Sequence, residues 1–390
     1  MRNIPLTVWR LMIAYSLMMA GVSVLVLIAG IIGAEIAPST GLATLPIALA
    51  VVGVASSTLP TGKLLHRFGR RPVFISYGFI AIFAAALASF SLVKEQFFVF
   101  CLAAYMMGWS GAAGHQYRFA ALEAVPARLA PKATSVLLFG GILAAFIGPE
   151  IAVRGRHLLT TEYAGSFLLL TASYVAGMLI VSFHRDQVIP DSGHGGKGRP
   201  LREILASPIL ILAILSAALG YGVMSFIMTA TPISMHLHAG HSLESTKLVI
   251  QFHIAAMYLP SLVYAWFFGK LGYRGLLWSG VVVFAICIVV ALVNTEFIHF
   301  WLALILLGIG WNFLFLSGTN LLPFGYRREE RFRVQAVNDF LVFSIQAIAS
   351  LSSGWVLYQW GWNGVLWACV PFIVGFAVLL LFSRAHVKAP

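Results

Sequence analysis

Long apolar runs separated by short polar loops constrain this chain more than any other feature. Six runs lie near residues 9–33, 41–62, 72–93, 96–121, 133–153 and 163–183, and six more near 207–232, 245–268, 275–294, 297–322, 335–358 and 362–383. A helix needs about 20 apolar residues to cross the hydrocarbon core of a bilayer. Only 10% of the 390 residues are charged, which excludes a water-soluble globular protein. The pattern predicts an all-α membrane protein with twelve transmembrane helices.

A stretch rich in glycine, proline and charge separates the two sets of runs. Residues 185–206 are predicted to form a cytoplasmic linker between two six-helix bundles, at residues 1–184 and 207–390. The linker glycines do not have the spacing of a phosphate-binding loop, because Asp191 takes the place of its first glycine and no Ser or Thr follows Lys197. We therefore expect no nucleotide-driven pump and no cofactor.

The basic residues indicate how the chain is oriented. Lys and Arg near short loops stay on the cytoplasmic side of a membrane. With the N-terminus inside, most of them fall on that side, and only Lys94, Arg154, Arg156 and Lys247 fall on the other. We expect both termini to be cytoplasmic. The net charge of +12 is then a signal of topology and does not point to a nucleic-acid partner.

Two pairs of similar segments indicate an internal duplication. The loop after the second run contains Arg67-Phe68-Gly69-Arg70-Arg71, and the loop after the eighth contains Lys270-Leu271-Gly272-Tyr273-Arg274. Runs four and ten each contain Gly-Trp, at Gly108-Trp109 and Gly310-Trp311. Two related halves are typical of secondary transporters, whose solute sites lie near the membrane midplane where the repeats meet.

The loop sequence Gly62-Lys63-Leu64-Leu65-His66-Arg67-Phe68-Gly69-Arg70-Arg71-Pro72 resembles the signature between spans 2 and 3 of the major facilitator superfamily. The resemblance extends over nearly the whole chain and implies a bacterial transporter, multi-pass in the inner membrane and monomeric. Glycines there permit a tight turn between helices. The resemblance implies that Glu123 pairs with a loop arginine. His66 replaces the usual Asp, which would make this gating loop sensitive to pH.

Titratable residues within the spans are candidates for function because they are costly at membrane depth. His253 lies near mid-bilayer and could carry the coupled proton, or it could be a neutral histidine bonded to a neighbouring helix. Asp339 could serve coupling, or it could cap a helix or close the inner gate. Glu150 follows Gly148-Pro149, where a helix break could open the backbone to a cavity.

Several residues could line a solute cavity if their helices face it as they do in the resembled family. Arg118 could attract an anionic group or pair with Glu123, and aromatic and amide side chains suit an organic solute. For each residue, ordinary helix packing is the competing interpretation. The candidates are Arg118, His115, Tyr15, Tyr221, Ser225, Trp311 and Asn312.

Metal and disulfide chemistry have little support in the sequence. Three histidines between His236 and His241 could hold a divalent cation, but no regular element fixes their geometry, so we predict no metal site. The cysteines all lie within apolar runs and have neither disulfide nor metal-site spacing: Cys101, Cys287 and Cys369.

The sequence therefore predicts a secondary transporter that moves a small solute by alternating access across the lipid bilayer, coupled to protons. Gly148-Pro149 resembles part of an antiporter motif and favours efflux, although Ala152 and Val153 replace its final glycines. Import of a nutrient, vitamin or iron chelate is the alternative. A non-transporting receptor and a membrane enzyme are further alternatives, and we predict no catalytic residue.

Overall fold

The computed structural model describes residues 4–117, 120–121, 124–125, 129–183, 199–327 and 330–383. Within these ranges the regular elements are all helical. The α-helices of the first part are α1 (Leu6–Ile36), α2 (Leu45–Phe68), α3 (Arg70–Val93), α4 (Phe97–Gly114), α5 (Ala130–Gly155) and α6 (Ala164–Ser182). Those of the second part are α7 (Leu201–Leu205), α8 (Pro208–Pro232), α9 (Leu243–Tyr258), α10 (Tyr264–Val293), α11 (Phe297–Leu321) and α12 (Arg331–Phe382).

The helices have the length and apolar character that a bilayer requires. In the described residues, 10 helical stretches are long and apolar enough to span a membrane. Apolar side chains remain exposed in stripes along them, as on α10, where Val282, Ile286, Val289 and Val293 recur every three or four residues. A stripe of this kind faces lipid in a membrane protein. The prediction of an all-helical membrane protein is therefore confirmed.

Contacts divide the chain into two compact units. Unit 1 comprises Met1–Ile189 and Thr231–Ala255, and unit 2 comprises Pro190–Ala230 and Ala256–Pro390. Parts of α8 and α9 therefore pack with the helices that precede the predicted linker. Residues 185–198 of that linker lie outside the described ranges, and its remainder includes α7.

Small residues allow helices of unit 1 to pack closely. At Gly148 on α5, an added Cβ atom would lie 2.4 Å from the carbonyl oxygen of Ala20 on α1. At Gly108 on α4, it would lie 1.8 Å from the carbonyl oxygen of Ala50 on α2. Membrane helices associate through such contacts because lipid offers no hydrophobic driving force between them. Gly148 thus has a packing role that is independent of the antiporter motif it resembles.

Positive-φ glycines mark the helix boundaries that the repeat predicts. Gly69 lies between α2 and α3 with φ 80° and ψ 176°, and Gly272 interrupts α10 with φ 62° and ψ −177°. This backbone region is essentially restricted to glycine. The two halves therefore share a turn geometry at the positions where their sequences correspond. Gly361 has a similar conformation within α12, with φ 65° and ψ −170°.

Candidate functional site

Four aromatic side chains in unit 2 form a compact group that we call the aromatic cluster. The rings of Trp311 and Phe315, one turn apart on α11, are stacked, with centroids 4.9 Å apart and 16° between planes. Tyr221 on α8 meets both edge-on, each at 5.2 Å, and contacts Phe343 of α12 at 5.7 Å. The structure thus brings together two predicted cavity residues, Tyr221 and Trp311, and adds Phe315 and Phe343.

Asn312 adjoins the aromatic cluster and is tied to the helix break after α9. Its Nδ2 atom donates hydrogen bonds of 2.7 Å to the carbonyl oxygen of Met257 and of 2.6 Å to Oγ of Ser261. Ser261 lies in the 3-10 turn Leu259–Val263. Asn312 is 1% exposed, so these bonds connect α11 to the candidate span Leu243–Val263 inside the protein.

The other cavity candidates have different surroundings. Ser225 is buried one turn beyond Tyr221, with Oγ 3.9 Å from Sδ of Met224. In unit 1, the ring centroids of Tyr15 and Tyr117 are 6.1 Å apart. His115 directly follows α4, and its side chain is half-buried. Arg118 lies outside the described residues.

The predicted gating loop contacts the chain just after the C-terminal end of α4. Arg70, the first residue of α3, donates from Nη1 to the carbonyl oxygen of Gln116 at 3.4 Å. The guanidinium of Arg67 lies over the Phe68 ring at 5.1 Å, and Arg71 is exposed. Gly62 lies in α2 with open space beside it. His66 also lies in α2, its side chain is not described, and Glu123 is outside the described residues.

The three predicted proton-coupling residues occupy different environments. His253 is fully buried in α9. Asp339 is half-buried in α12 and accepts a 3.0 Å hydrogen bond from Nδ2 of Asn338. Glu150, near the end of α5, is flanked by two cations.

Glu150 belongs to an ion cluster that joins α5 to α9 within unit 1. Nζ of Lys247 lies 2.8 Å from Oε1 of Glu150 and 2.6 Å from Oε2 of Glu244. Nε of Arg154 lies 3.0 Å from the other oxygen of Glu150. We call these four residues the distal ion cluster, because they lie at the end of α5 and the beginning of α9. Lys247 is 8% exposed, so the charge at its centre is largely withdrawn from solvent.

The histidines after α8 form no visible metal site. A ring N–H of His236, at Nδ1, donates to the carbonyl oxygen of His241 at 2.8 Å, which directs that nitrogen to the backbone. Across the described part of the chain, no three His, Cys, Asp or Glu residues are grouped as a metal would require. The three cysteines are buried as free thiols.

A buried carboxylate that the sequence analysis did not single out anchors the segment before α7. Glu330, 2% exposed, accepts hydrogen bonds from Nε and Nη2 of Arg199 at 2.8 and 2.7 Å. It also accepts from the backbone N–H groups of Arg199 and Arg327, at 2.9 and 2.8 Å. This bidentate pair joins the predicted linker to the residue that precedes α12.

Glu330 should make the stability of the protein depend on pH. The Arg199 side chain, aided by the two backbone donors, holds the pKa of Glu330 well below its usual range. A carboxylate of lowered pKa stabilises the folded state above its unfolded pKa, and the contribution is lost as pH falls toward the folded value. We expect Glu330→Gln to lower the midpoint of thermal unfolding at pH 7. The difference in midpoint between this variant and the unsubstituted protein should become smaller below about pH 4.5.

Thermal unfolding of the purified protein at several pH values between 7 and 3.5 would measure this gap. Glu203→Gln is the matched control, because Glu203 is an exposed carboxylate on α7. A gap for Glu330→Gln that stays constant down to pH 3.5 would contradict the prediction.

Comparison with known proteins gives consistent matches. The family model described as Major Facilitator Superfamily matches residues 11–258. The chain is 32% identical over 382 residues to the riboflavin transporter RfnT of Brucella anthropi, covering 97% of this chain and 95% of that protein. It is 29% identical over 388 residues to YdeG of Bacillus subtilis, an uncharacterized MFS-type transporter, covering 93% and 87%. YddS, of the same description and organism, is 28% identical over 399 residues, covering 95% and 89%.

Proposed function

Because this chain belongs to the Major Facilitator Superfamily, we propose that it is a proton-coupled secondary transporter that carries riboflavin or a closely similar flavin into the cell. Membership of the family confirms the resemblance that its gating-loop sequence indicates. The protein is a multi-pass membrane transporter and not an enzyme. The solute, the direction and the coupling ion are the proposed parts.

The observation that carries the choice of solute is the similarity to a riboflavin transporter along nearly the whole chain. The aromatic cluster supports it, because a flat heteroaromatic solute stacks favourably on aromatic rings. Its members come from three helices, α8, α11 and α12, which hold the rings in a fixed arrangement. An amide at Asn312 beside the rings suits a solute that also carries hydrogen-bonding groups.

We propose twelve crossings arranged as two related halves, at residues 1–184 and 207–390. The ten candidate stretches include one from Arg333 to Phe382 that Gly361 divides, and each part is long enough for one crossing. α5, with 26 residues, supplies another. With both termini in the cytoplasm of a bacterial cell, the distal ion cluster faces the outside.

Import is the direction that the physical argument favours. The expectation of efflux rests on Gly148, whose contact with Ala20 accounts for the glycine through helix packing alone. Riboflavin is a vitamin, and a cell that accumulates it above the outside concentration must move it against a gradient. Proton coupling would supply the energy for that uptake.

We place the coupling proton on His253. An imidazole is the side chain whose charge changes most readily near neutral pH. His253 is the histidine that is fully buried among the described residues, so it can exchange protons with water only in a conformation that opens α9. Glu150 is held by two cations, which favours a role in closing the distal end. Asp339 is the second candidate for coupling.

Flavin flux in proteoliposomes tests the proposed function. The full chain is reconstituted in vesicles, and riboflavin uptake is followed by fluorescence with and without an imposed pH gradient, acidic outside. We expect uptake above that of protein-free vesicles, stimulated by the gradient and abolished by a protonophore. Riboflavin binding without flux would favour a receptor. Flux that does not respond to the gradient would rule out proton coupling. The absence of both binding and flux would overturn the choice of solute.

A further inference from the structure

Two buried polar atoms beside the aromatic cluster have no hydrogen-bond partner among the described residues. They are Nε1 of Trp311 and Oδ1 of Asn312, on consecutive residues of α11. The two residues are 5% and 1% exposed, so water does not reach these atoms freely. A buried polar group without a partner destabilises the folded protein, so each one calls for a physical explanation.

The chemical character of both atoms is fixed by their neighbours. Both N–H groups of the Asn312 amide are occupied by the Met257 carbonyl and by Ser261, so the amide presents only its oxygen as a free acceptor. The indole N–H of Trp311 is a donor only. Phe315 stacks on the indole and Tyr221 abuts it, which holds the direction of the N–H group.

One donor beside one acceptor is complementary to a cyclic imide. In an imide edge, a ring N–H group adjoins a carbonyl oxygen, so the N–H can donate to Asn312 while the carbonyl accepts from Trp311. Trp311 and Asn312 are consecutive residues, which places the donor and the acceptor at neighbouring positions of one helix. The pyrimidine ring of an isoalloxazine carries an edge of this kind, and its fused rings are flat and aromatic.

We propose that Trp311 and Asn312 recognise the imide edge of the flavin, with Trp311 donating to its carbonyl oxygen and Asn312 accepting from its ring N–H. This inference rests on the proposed function, because it assigns the polar contacts of the same solute. The solute reaches Trp311 and Asn312 when the transporter opens. Its hydrogen bonds to these two atoms break none within the protein, because neither atom has a partner among the described residues. The pair then discriminates between solutes, since a ring that lacks the N–H group leaves Oδ1 of Asn312 without a hydrogen-bond partner.

Binding of two flavins to the purified full-length protein tests the inference. The probes are riboflavin and its analogue methylated on the imide nitrogen, and binding is followed by quenching of flavin fluorescence. We expect the unsubstituted protein to bind riboflavin about tenfold more tightly than the analogue, the effect of one buried hydrogen bond. Because this comparison uses no variant, it does not depend on how a substitution folds.

Variants then assign the contacts to residues. Asn312→Leu should weaken riboflavin binding about tenfold and leave the analogue within about twofold, which removes the discrimination. Trp311→Phe keeps an aromatic ring without the N–H and should weaken both ligands about fivefold. Trp109→Phe, at the corresponding position of the first half, is the matched control and should change neither.

The outcomes separate this inference from the proposed function. One outcome would contradict only the recognition by Trp311 and Asn312. In it, riboflavin binds and is transported, the methylated analogue binds equally well, and both variants behave like the control. The proposed function as a flavin transporter would then remain supported. If the unsubstituted protein neither binds nor transports riboflavin, both are overturned.

Discussion

Riboflavin accumulation driven by a pH gradient should fall to the level of protein-free vesicles when His253 is replaced by glutamine. Glutamine keeps a polar side chain capable of hydrogen bonding but cannot take up a proton near neutral pH. His253 is fully buried within the candidate span Leu243–Val263, so no bulk water can substitute for it in the closed conformation. Flavin exchange across the membrane in the absence of a gradient should persist, because it requires the conformational change and not the net movement of a proton.

The measurement is riboflavin uptake in proteoliposomes with and without the pH gradient. Flavin exchange is measured separately, as uptake of labelled riboflavin into vesicles that are loaded with unlabelled riboflavin. His299→Gln is the matched control, since His299 is a half-buried histidine on α11. It should retain the gradient response. If Asp339→Asn removes the response and His253→Gln keeps it, the coupling proton belongs to Asp339.

Charge reversal in the distal ion cluster should have the second largest effect. Lys247→Glu would place a carboxylate where an ammonium now lies within 2.8 Å of both Glu150 and Glu244. Like charges in a largely buried position repel by several kcal/mol before solvent screening. Because this cluster joins α5 to α9, we expect the closed distal end to be destabilised and riboflavin uptake to fall to about a tenth or less.

A double substitution distinguishes loss of the ion pair from general damage. Glu150→Lys combined with Lys247→Glu restores opposite charges between α5 and α9, and we expect it to recover at least about half of the uptake, because the attraction between the helices is re-established. Lys94→Glu, at an exposed lysine after α3, changes the net charge equally and should leave uptake intact. A double variant as inactive as Lys247→Glu would show that the pair does not act through its charge.

Local sequence properties predicted much of the fold. Runs of apolar residues identified the membrane helices, because a span must be apolar over its whole length whatever its neighbours are. The glycine of the gating loop and its counterpart, Gly69 and Gly272, were recognisable because their backbone conformation excludes other residues. Both signals reside within a few consecutive residues, so they can be identified without knowledge of the packing.

The candidate site was only partly predictable. Tyr221, Trp311 and Asn312 could be named because polar and amphipathic side chains are unusual within a span. Phe315 and Phe343 carried no such signal, since phenylalanine is equally common on lipid-facing surfaces. Only the observed ring contacts distinguish these two from the exposed phenylalanines elsewhere on the helices.

For the charged residues too, the sequence predicted one property and only the structure showed the contacts. Arg199 and Lys247 were informative in the sequence only as indicators of orientation, because that property depends on which loop holds a charge. Their partners, Glu330 and Glu150, lie 131 and 97 residues away. An ion pair depends on distances of a few ångströms, and sequence separation gives no measure of such distances.

By itself the sequence determined that this chain is a helical membrane protein of a transporter family, because hydropathy and the loop motif are properties of short segments. The tertiary structure alone decided which side chains meet. It packed Phe315 and Phe343 against Tyr221 and joined α5 to α9 through Lys247. It also left Nε1 of Trp311 and Oδ1 of Asn312 without a partner among the described residues. Recognition of a solute depends on groups that converge from distant parts of the chain, and only folding brings those groups together.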